Sequence, residues 1–420
     1  MTARERWLAI FGGSAGNLVE WFDWYAYSAF SLYFAHAFFP SANRTTQLLN
    51  TAGVFAVGFL VRPVGGWLLG RYADRSGRKA ALMVSIALMC GGSLLIAVTP
   101  TYASIGAAAP AILLFARVIQ GVSLGGEYGT SAAYLSEAAP PGRRGLYASF
   151  QYVAVIMGQL LAAIVLLVLQ SGLLTPAQLE SWGWRIPFGI GGLCAVITLQ
   201  LRRSLAETYR PRPGAAPTSS GLRVLLRHRR EALLVAGLTV GGTIAFYTYT
   251  TYLPTFLVNT VGLTHLQSTL ISGASLLVYM VSQPILGALS DRVGRRPLLL
   301  TFGVLGMLGT VPLLTALQSA RTAAVAFALI MTALPAVAAY TAVSPVVKAE
   351  LFPASIRVLG VNLPYAITVS LFGGSASYVA LWCKNLGRES LFYWYVSACI
   401  ACSLIVYTRM RETRRTSLFE

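Results

Sequence analysis

Charged residues are scarce in this sequence: Asp, Glu, Lys and Arg make up 11% of 420 residues, against a hydrophobic share of 56%. Soluble domains carry roughly 25% charge, so most of this chain is built for a solvent other than water. Histidine is scarcer still, with His36, His228 and His265 far apart. No HExxH, DDxxD or Cys/His pattern occurs. That removes the usual metal signatures and the nucleophile-and-base arrangement a polytopic membrane enzyme needs. No cofactor, no metal and no enzymatic activity are therefore expected. Cys90, Cys194, Cys383, Cys399 and Cys402 lack metal-ligand spacing and read as small packing residues. A cleavable leader is not expected either. The start is basic, but the apolar stretch behind it is too long and carries acids.

What fills the chain is apolar sequence in long, unalternating runs. Backbone in lipid must pair internally, which restricts spanning segments to helices or a closed barrel; continuous rather than alternating runs select helices. Spans are predicted at 10–37, 48–70, 80–99, 107–135, 146–169, 184–201, 232–258, 268–290, 298–318, 322–347, 358–382 and 390–408. The fold class expected is an all-α membrane protein with twelve transmembrane helices in two six-helix bundles, each span needing about 20 residues.

The net charge of +18 invites a nucleic-acid reading, but position argues against it. With the N-terminus inside, 25 Lys and Arg fall in cytoplasmic segments, four on the opposite side and three within spans, Arg185 among them at the outer edge of its span. This is the positive-inside rule. It places both termini in the cytoplasm, makes lipid rather than nucleic acid the partner, and predicts a multi-pass inner-membrane protein, expected as a monomer. Trp182, Trp184 and Trp382 are expected in an interfacial belt.

The segment 202–231, with Pro211, Pro213 and Pro217 followed by Arg223, Arg227, Arg229 and Arg230, reads as a cytoplasmic linker. It divides the chain into bundles at 1–201 and 232–420. The halves repeat. Gly70, Asp74, Arg75, Gly77 and Arg78 recur as Gly287, Asp291, Arg292, Gly294 and Arg295, at an offset of 217. Glu137-x-x-Pro-x-x-x-Arg144 recurs as Glu350-x-x-Pro-x-x-x-Arg357, at an offset of 213. Glycine can take positive φ in such a turn, and an aspartate can meet a helix N-terminus. Parallel repeats of this kind build alternating-access transporters with the site between the halves. A channel is disfavoured, because no filter-like loop accompanies the repeat.

These turns resemble the signature loops of the major facilitator superfamily. GNLVEWFDWY (16–25), FLVRPVGGWLLGRYADRSGRK (59–79), RVIQGVSLGGEYGTSAAYLSE (117–137), WGWRIPF (182–188) and KAELFP (348–353) resemble its metabolite:proton symporter family. SLYFAHAFFPS (31–41), TTQLLNTAGVF (45–55), YASFQYV (147–153) and FGGSASYVAL (372–381) look most like the family's α-ketoglutarate transporters. The resemblance implies proton-coupled uptake of a small dicarboxylate, α-ketoglutarate first, with citrate, shikimate or a zwitterionic osmolyte as alternatives. A drug/proton antiporter of the same fold is the rival; it favours acids and aromatics over arginines. One departure stands at Ser76, where such transporters carry histidine. No proton role for a histidine in that loop is therefore implied.

Five ionisable residues lie firmly inside the predicted spans: Glu20, Asp23, Arg62, Arg117 and Glu127. Each costs at least about 2.5–3.5 kcal/mol at the bilayer centre, so each needs a partner or a wet cavity. At 1.5 Å per residue, Asp23, Arg62 and Arg117 fall about 12–21 Å from span ends, near the middle. Asp23 is the candidate proton carrier and Arg117 its switch, since the resemblance implies that spans 1 and 4 adjoin; a structural ion pair is the bland alternative. Glu20 and Glu127 are secondary proton or gate candidates. Arg62 and Arg117 are the candidates for substrate carboxylates, which the guanidinium fork matches bidentately. Arg62 shares a face with Gly58, Gly65 and Gly66, so close helix packing is an alternative there. Gln120, Tyr27 and Tyr128 flank these groups, and Tyr247, Tyr249, Tyr279, Gln283, Asn362 and Tyr365 are expected as uncharged contacts from the C-terminal half. Lys348, near a helix end, is expected to snorkel.

Overall fold

The computed structural model describes residues 3–76, 78–203, 227–353 and 357–416. Every regular element among them is a helix. The N-terminal half of the chain contributes α1 (Ala3–Phe38), α2 (Arg44–Leu60), α3 (Arg62–Ser76), α4 (Arg78–Val98), α5 (Ala108–Leu124), α6 (Glu127–Ala138), α7 (Arg144–Val168) and α8 (Ile186–Arg203). The C-terminal half contributes α9 (Arg229–Phe246), α10 (Leu253–Asn259), α11 (His265–Val293), α12 (Arg296–Gln318), α13 (Ala323–Thr341), α14 (Ser344–Glu350), α15 (Arg357–Thr368), α16 (Ala376–Asn385) and α17 (Ser390–Arg409). Nine helical stretches among the described residues are long and apolar enough to cross a membrane, and Met83–Val98 is apolar but shorter. Predicted spans 10–37 and 184–201 coincide with α1 and α8. Most of the predicted linker, 204–226, lies outside the described residues.

Local sequence explains where helices begin and break. Asn43 caps α2, its side chain accepting from the N–H groups of Thr45 and Thr46. Thr264 and Gln267 form a reciprocal capping box at the start of α11, which satisfies two otherwise orphan donors. The predicted span 107–135 is interrupted at Gly125-Gly126, between α5 and α6. A wide π turn at Tyr247–Thr251 joins α9 to α10, and another at Val369–Gly373 joins α15 to α16. Such turns re-aim backbone carbonyls and often mark functional places.

Close backbone approach packs α2 and α3 against α5. A Cβ on Gly121 would sit 2.0 Å from the Gly58 carbonyl oxygen, and one on Gly125 would sit 2.1 Å from that of Arg62. Gly121 and Gly125 form a G-x-x-x-G stripe, the pattern that lets membrane helices touch. Trp184 departs from the expected aromatic belt. It is fully buried against Phe34 and Phe38, whereas Trp182 and Trp382 are about half exposed. The ring is held inward because α1 runs past it with two phenylalanines one helical turn apart.

Candidate functional site

α1, α4 and α5 bring together a charged cluster inside the N-terminal half. Ser93 Oγ donates to Asp23 Oδ1, and Gln120 Nε2 donates to Asp23 Oδ2 at 2.6 Å. Arg117 Nη1 lies 3.4 Å from the same oxygen and donates to Gln120 Oε1 at 2.6 Å. The Arg117 guanidinium sits 4.1 Å from the ring centres of both Trp24 and Tyr27. Burial leaves its Nε and Nη2 without a hydrogen-bond partner among the described residues. Cation–π contact in a dry site is worth about 2 kcal/mol or more, which helps hold a charge so far from water. Arg117 therefore faces Asp23 and aromatic rings within the bundle rather than the cavity described next.

That cavity lies between the halves. Asn17, Glu20, Trp21, Arg62, Tyr128, Asn362 and Tyr365 line it. Arg62 opens α3, where the break after Leu60 turns its side chain inward over the Phe59 ring, 3.6 Å from the ring centre. Its Nε and Nη2 are buried with no well-aligned partner among the described residues. The Arg62 carbonyl lies in the close-packed seam with Gly125, and its guanidinium reaches the cavity. Tyr247 packs against Phe59 and Trp21 in the same aromatic wall. Tyr128 and Tyr365, one from each half, stack with ring centres 3.5 Å apart.

The remaining candidates divide by partner. Tyr27 donates to the Thr51 carbonyl at 3.0 Å and lines a second, separate cavity with Ser28, Phe55 and Thr255. Tyr249 reaches Thr310 at 3.4 Å. Tyr279 bonds Thr341 at 2.8 Å, and Thr341 donates to Gln283 at 3.0 Å. These last three are engaged within the C-terminal half. Asn362 accepts from the Gly129 N–H at 2.6 Å and donates to the Gly126 carbonyl at 3.0 Å, clamping α15 onto the break between α5 and α6. Glu127, at the start of α6, is buried.

The repeated loops meet across the halves. Asp291 accepts from the N–H groups of Gly145 and Leu146, both at 2.9 Å, and so caps α7 of the other half. Arg295 pairs with Asp291 at 2.9 Å and with Glu350 at 3.6 Å. Arg357 crosses to Glu137 at 2.6 Å. A Cβ on Gly287 would meet the Gly145 carbonyl at 2.7 Å. Gly294 takes positive φ, 101°. Arg292 is exposed and its carbonyl accepts from Arg414; Arg144 opens α7. Gly70, Asp74, Arg75, Gly77 and Arg78 lie outside the described residues or have undescribed side chains. At the other end of α11, and along α1, the halves touch again: Ser28 donates to the Thr251 carbonyl at 2.7 Å, and Tyr33 lies 4.9 Å from His265.

A family model of the major facilitator superfamily matches residues 14–362. The chain belongs to the major facilitator superfamily. It is a multi-pass inner-membrane transporter, and its helices follow that fold. Against the D-xylose–proton symporter crystal structure the TM-score is 0.74 at 20% identity, over 96% of this chain and 98% of that one. It is 53% identical to the α-ketoglutarate permease of Escherichia coli K12 over 405 residues, 96% of this chain and 93% of the permease. It is 33% identical to a citrate–proton symporter of Klebsiella pneumoniae, over 96% of this chain and 94% of that protein.

Lys348 corrects the sequence reading of this transporter. It does not snorkel: it is 0% exposed, with Nζ 3.4 Å from the Tyr128 hydroxyl and 3.5 Å from that of Tyr340. A helical side chain leans toward its own N-terminus. At the last turn of α14, that direction is back into the bundle. The signal was present as Tyr340, Ser344 and Lys348 at four-residue spacing within the apolar run 322–347 and its end.

Proposed function

We propose that this transporter takes up a small dicarboxylate together with protons, with α-ketoglutarate as the substrate, by alternating access between two six-helix bundles. The observation that carries this reading is Arg62: a buried guanidinium with unsatisfied donors, on a cavity between the halves. Such a fork fits a carboxylate and has no comparable use for a neutral sugar. The likeness to an α-ketoglutarate permease supports the same substrate.

In this reading the twelve predicted spans cross the inner membrane with both termini in the cytoplasm. Residues 1–201 and 232–420 form the bundles around a linker at 202–231. Asp23 carries the proton. Arg117 holds the carboxylate until substrate binding draws positive charge toward the cavity; Gln120 and Ser93 keep the acid in place meanwhile. Glu20 and Glu127 are accessory acids, and Tyr27, Tyr128, Tyr247, Tyr249, Tyr279, Gln283, Asn362 and Tyr365 shape the route. The loop residues form the cytoplasmic gate. The protein works as a monomer in lipid, has no enzymatic step and needs no cofactor beyond H⁺. A dianion entering with one proton carries net negative charge, against about 2.3 kcal/mol per 100 mV; two protons make the step electroneutral.

Citrate is the second reading, on the 33% likeness to a citrate–proton symporter. Uptake of labelled α-ketoglutarate into proteoliposomes under an imposed pH gradient, competed with citrate, succinate and shikimate, decides. Accumulation that collapses with the gradient and yields least to shikimate is expected. Uptake indifferent to the gradient would remove the proton coupling.

A further inference from the structure

Lys348 is the central charge that the reading above leaves without a task. Among the described residues no carboxylate lies within ion-pair distance of it. Its contacts are two phenols at 3.4 and 3.5 Å and the face of Tyr365, 4.4 Å from the ring centre. Charge-assisted hydrogen bonds run about 2.7–2.9 Å, so these are loose. A buried ammonium held by neutral groups is poorly compensated, and an incoming anion supplies what it lacks.

The position gives that anion a direction. Tyr128 and Tyr365 line the cavity with Arg62 and also contact Lys348. One stacked pair of rings, contributed by both halves, therefore separates a cation of the N-terminal half from a cation of the C-terminal half. We propose that Lys348 is the specificity residue for the substrate's second carboxylate, Arg62 taking the first, with the Tyr128–Tyr365 pair parting to admit the dianion. This rests on the dicarboxylate reading above. Its consequence is mechanical as well as chemical. A substrate with two carboxylates ties α3 to α14 and draws the halves together, whereas a monocarboxylate engages one half only.

The experiment uses the full chain in proteoliposomes. Counterflow of labelled α-ketoglutarate is competed with unlabelled α-ketoglutarate or with 2-oxovalerate, which has a methyl group where the second carboxylate stands. The wild-type chain is expected to prefer the dicarboxylate by roughly 30-fold or more, the range for a desolvated charge pair. Lys348→Met replaces the ammonium with an apolar chain of similar length and should fold, since it removes a poorly compensated buried charge. It is expected to lose most of that preference, and Lys348→Arg to restore it. A Lys348→Met chain that keeps the wild-type preference, whatever its rate, overturns the proposal. So does one that fails to fold while Lys348→Arg folds, because the cation is then a structural support. A wild-type chain that carries no α-ketoglutarate sinks the dicarboxylate reading itself, a result distinct from either.

Discussion

Asp23 and Arg62 show how differently two buried charges can be treated within one half of a chain. Asp23 is held by Ser93, Gln120 and Arg117; Arg62 lies on aromatic faces with open donors. Removing one member of a buried pair costs about 3–5 kcal/mol when it strands the other charge. Asparagine at position 23 keeps the shape and the acceptor for Gln120 but cannot carry a proton. Asp23→Asn is therefore expected to reduce gradient-driven accumulation to background while exchange of internal for external substrate continues. Measuring both in one preparation checks this; loss of exchange along with accumulation, in folded protein, would assign Asp23 a structural role. The sequence made Asp23, Arg62 and Arg117 conspicuous because charge in an apolar run is costly. It left open that Arg117 turns into the bundle while Arg62 reaches the cavity, since that depends on which helix lies opposite.

Among the elements, the α2–α3 and α5 seam sets where Arg62 stands. The Gly121 position leaves no room for a side chain, since a Cβ there would stand 2.0 Å from the Gly58 carbonyl oxygen, while a Cβ on Gly91 meets nothing within 4 Å. Overpacking costs typically about 1–3 kcal/mol, and more where backbone is the obstacle. Gly121→Val is expected to lower the melting temperature of purified protein and its yield, with Gly91→Val near wild type. Equal behaviour of the two would mean the seam is loose. Helix existence was legible from apolar runs, and close helix packing at Gly58, Gly65 and Gly66 was readable as an alternative beside Arg62. The break at Gly125-Gly126 and the π turns were not, because they depend on carbonyls finding partners on neighbouring helices, as Thr251 does with Ser28.

Over the whole molecule, the halves are tied near the repeated loops and again at the opposite end, around a central aromatic and cationic layer. Two of the loop ties cross between the halves: Asp291 caps α7 through two N–H groups, and Arg357 reaches Glu137. Hydrogen bonds to a charged group are worth about 1.5–3 kcal/mol each. Asp291→Ala is expected to raise the population open at that end by roughly 10-fold or more. Spin labels at the exposed positions 143 and 292 report it as a longer distance component; an unchanged distribution would take Asp291 out of the gate. By itself, the sequence determined the solvent, the helical class, the internal repeat and the short list of costly charges. Each follows from local composition, because lipid penalises charge and unpaired backbone wherever they occur. Tertiary structure alone decided which charges share a cavity, that Lys348 points inward, and that Asp291 closes on a helix of the other half. Those facts depend on groups hundreds of residues apart meeting face to face, and no local pattern encodes the meeting.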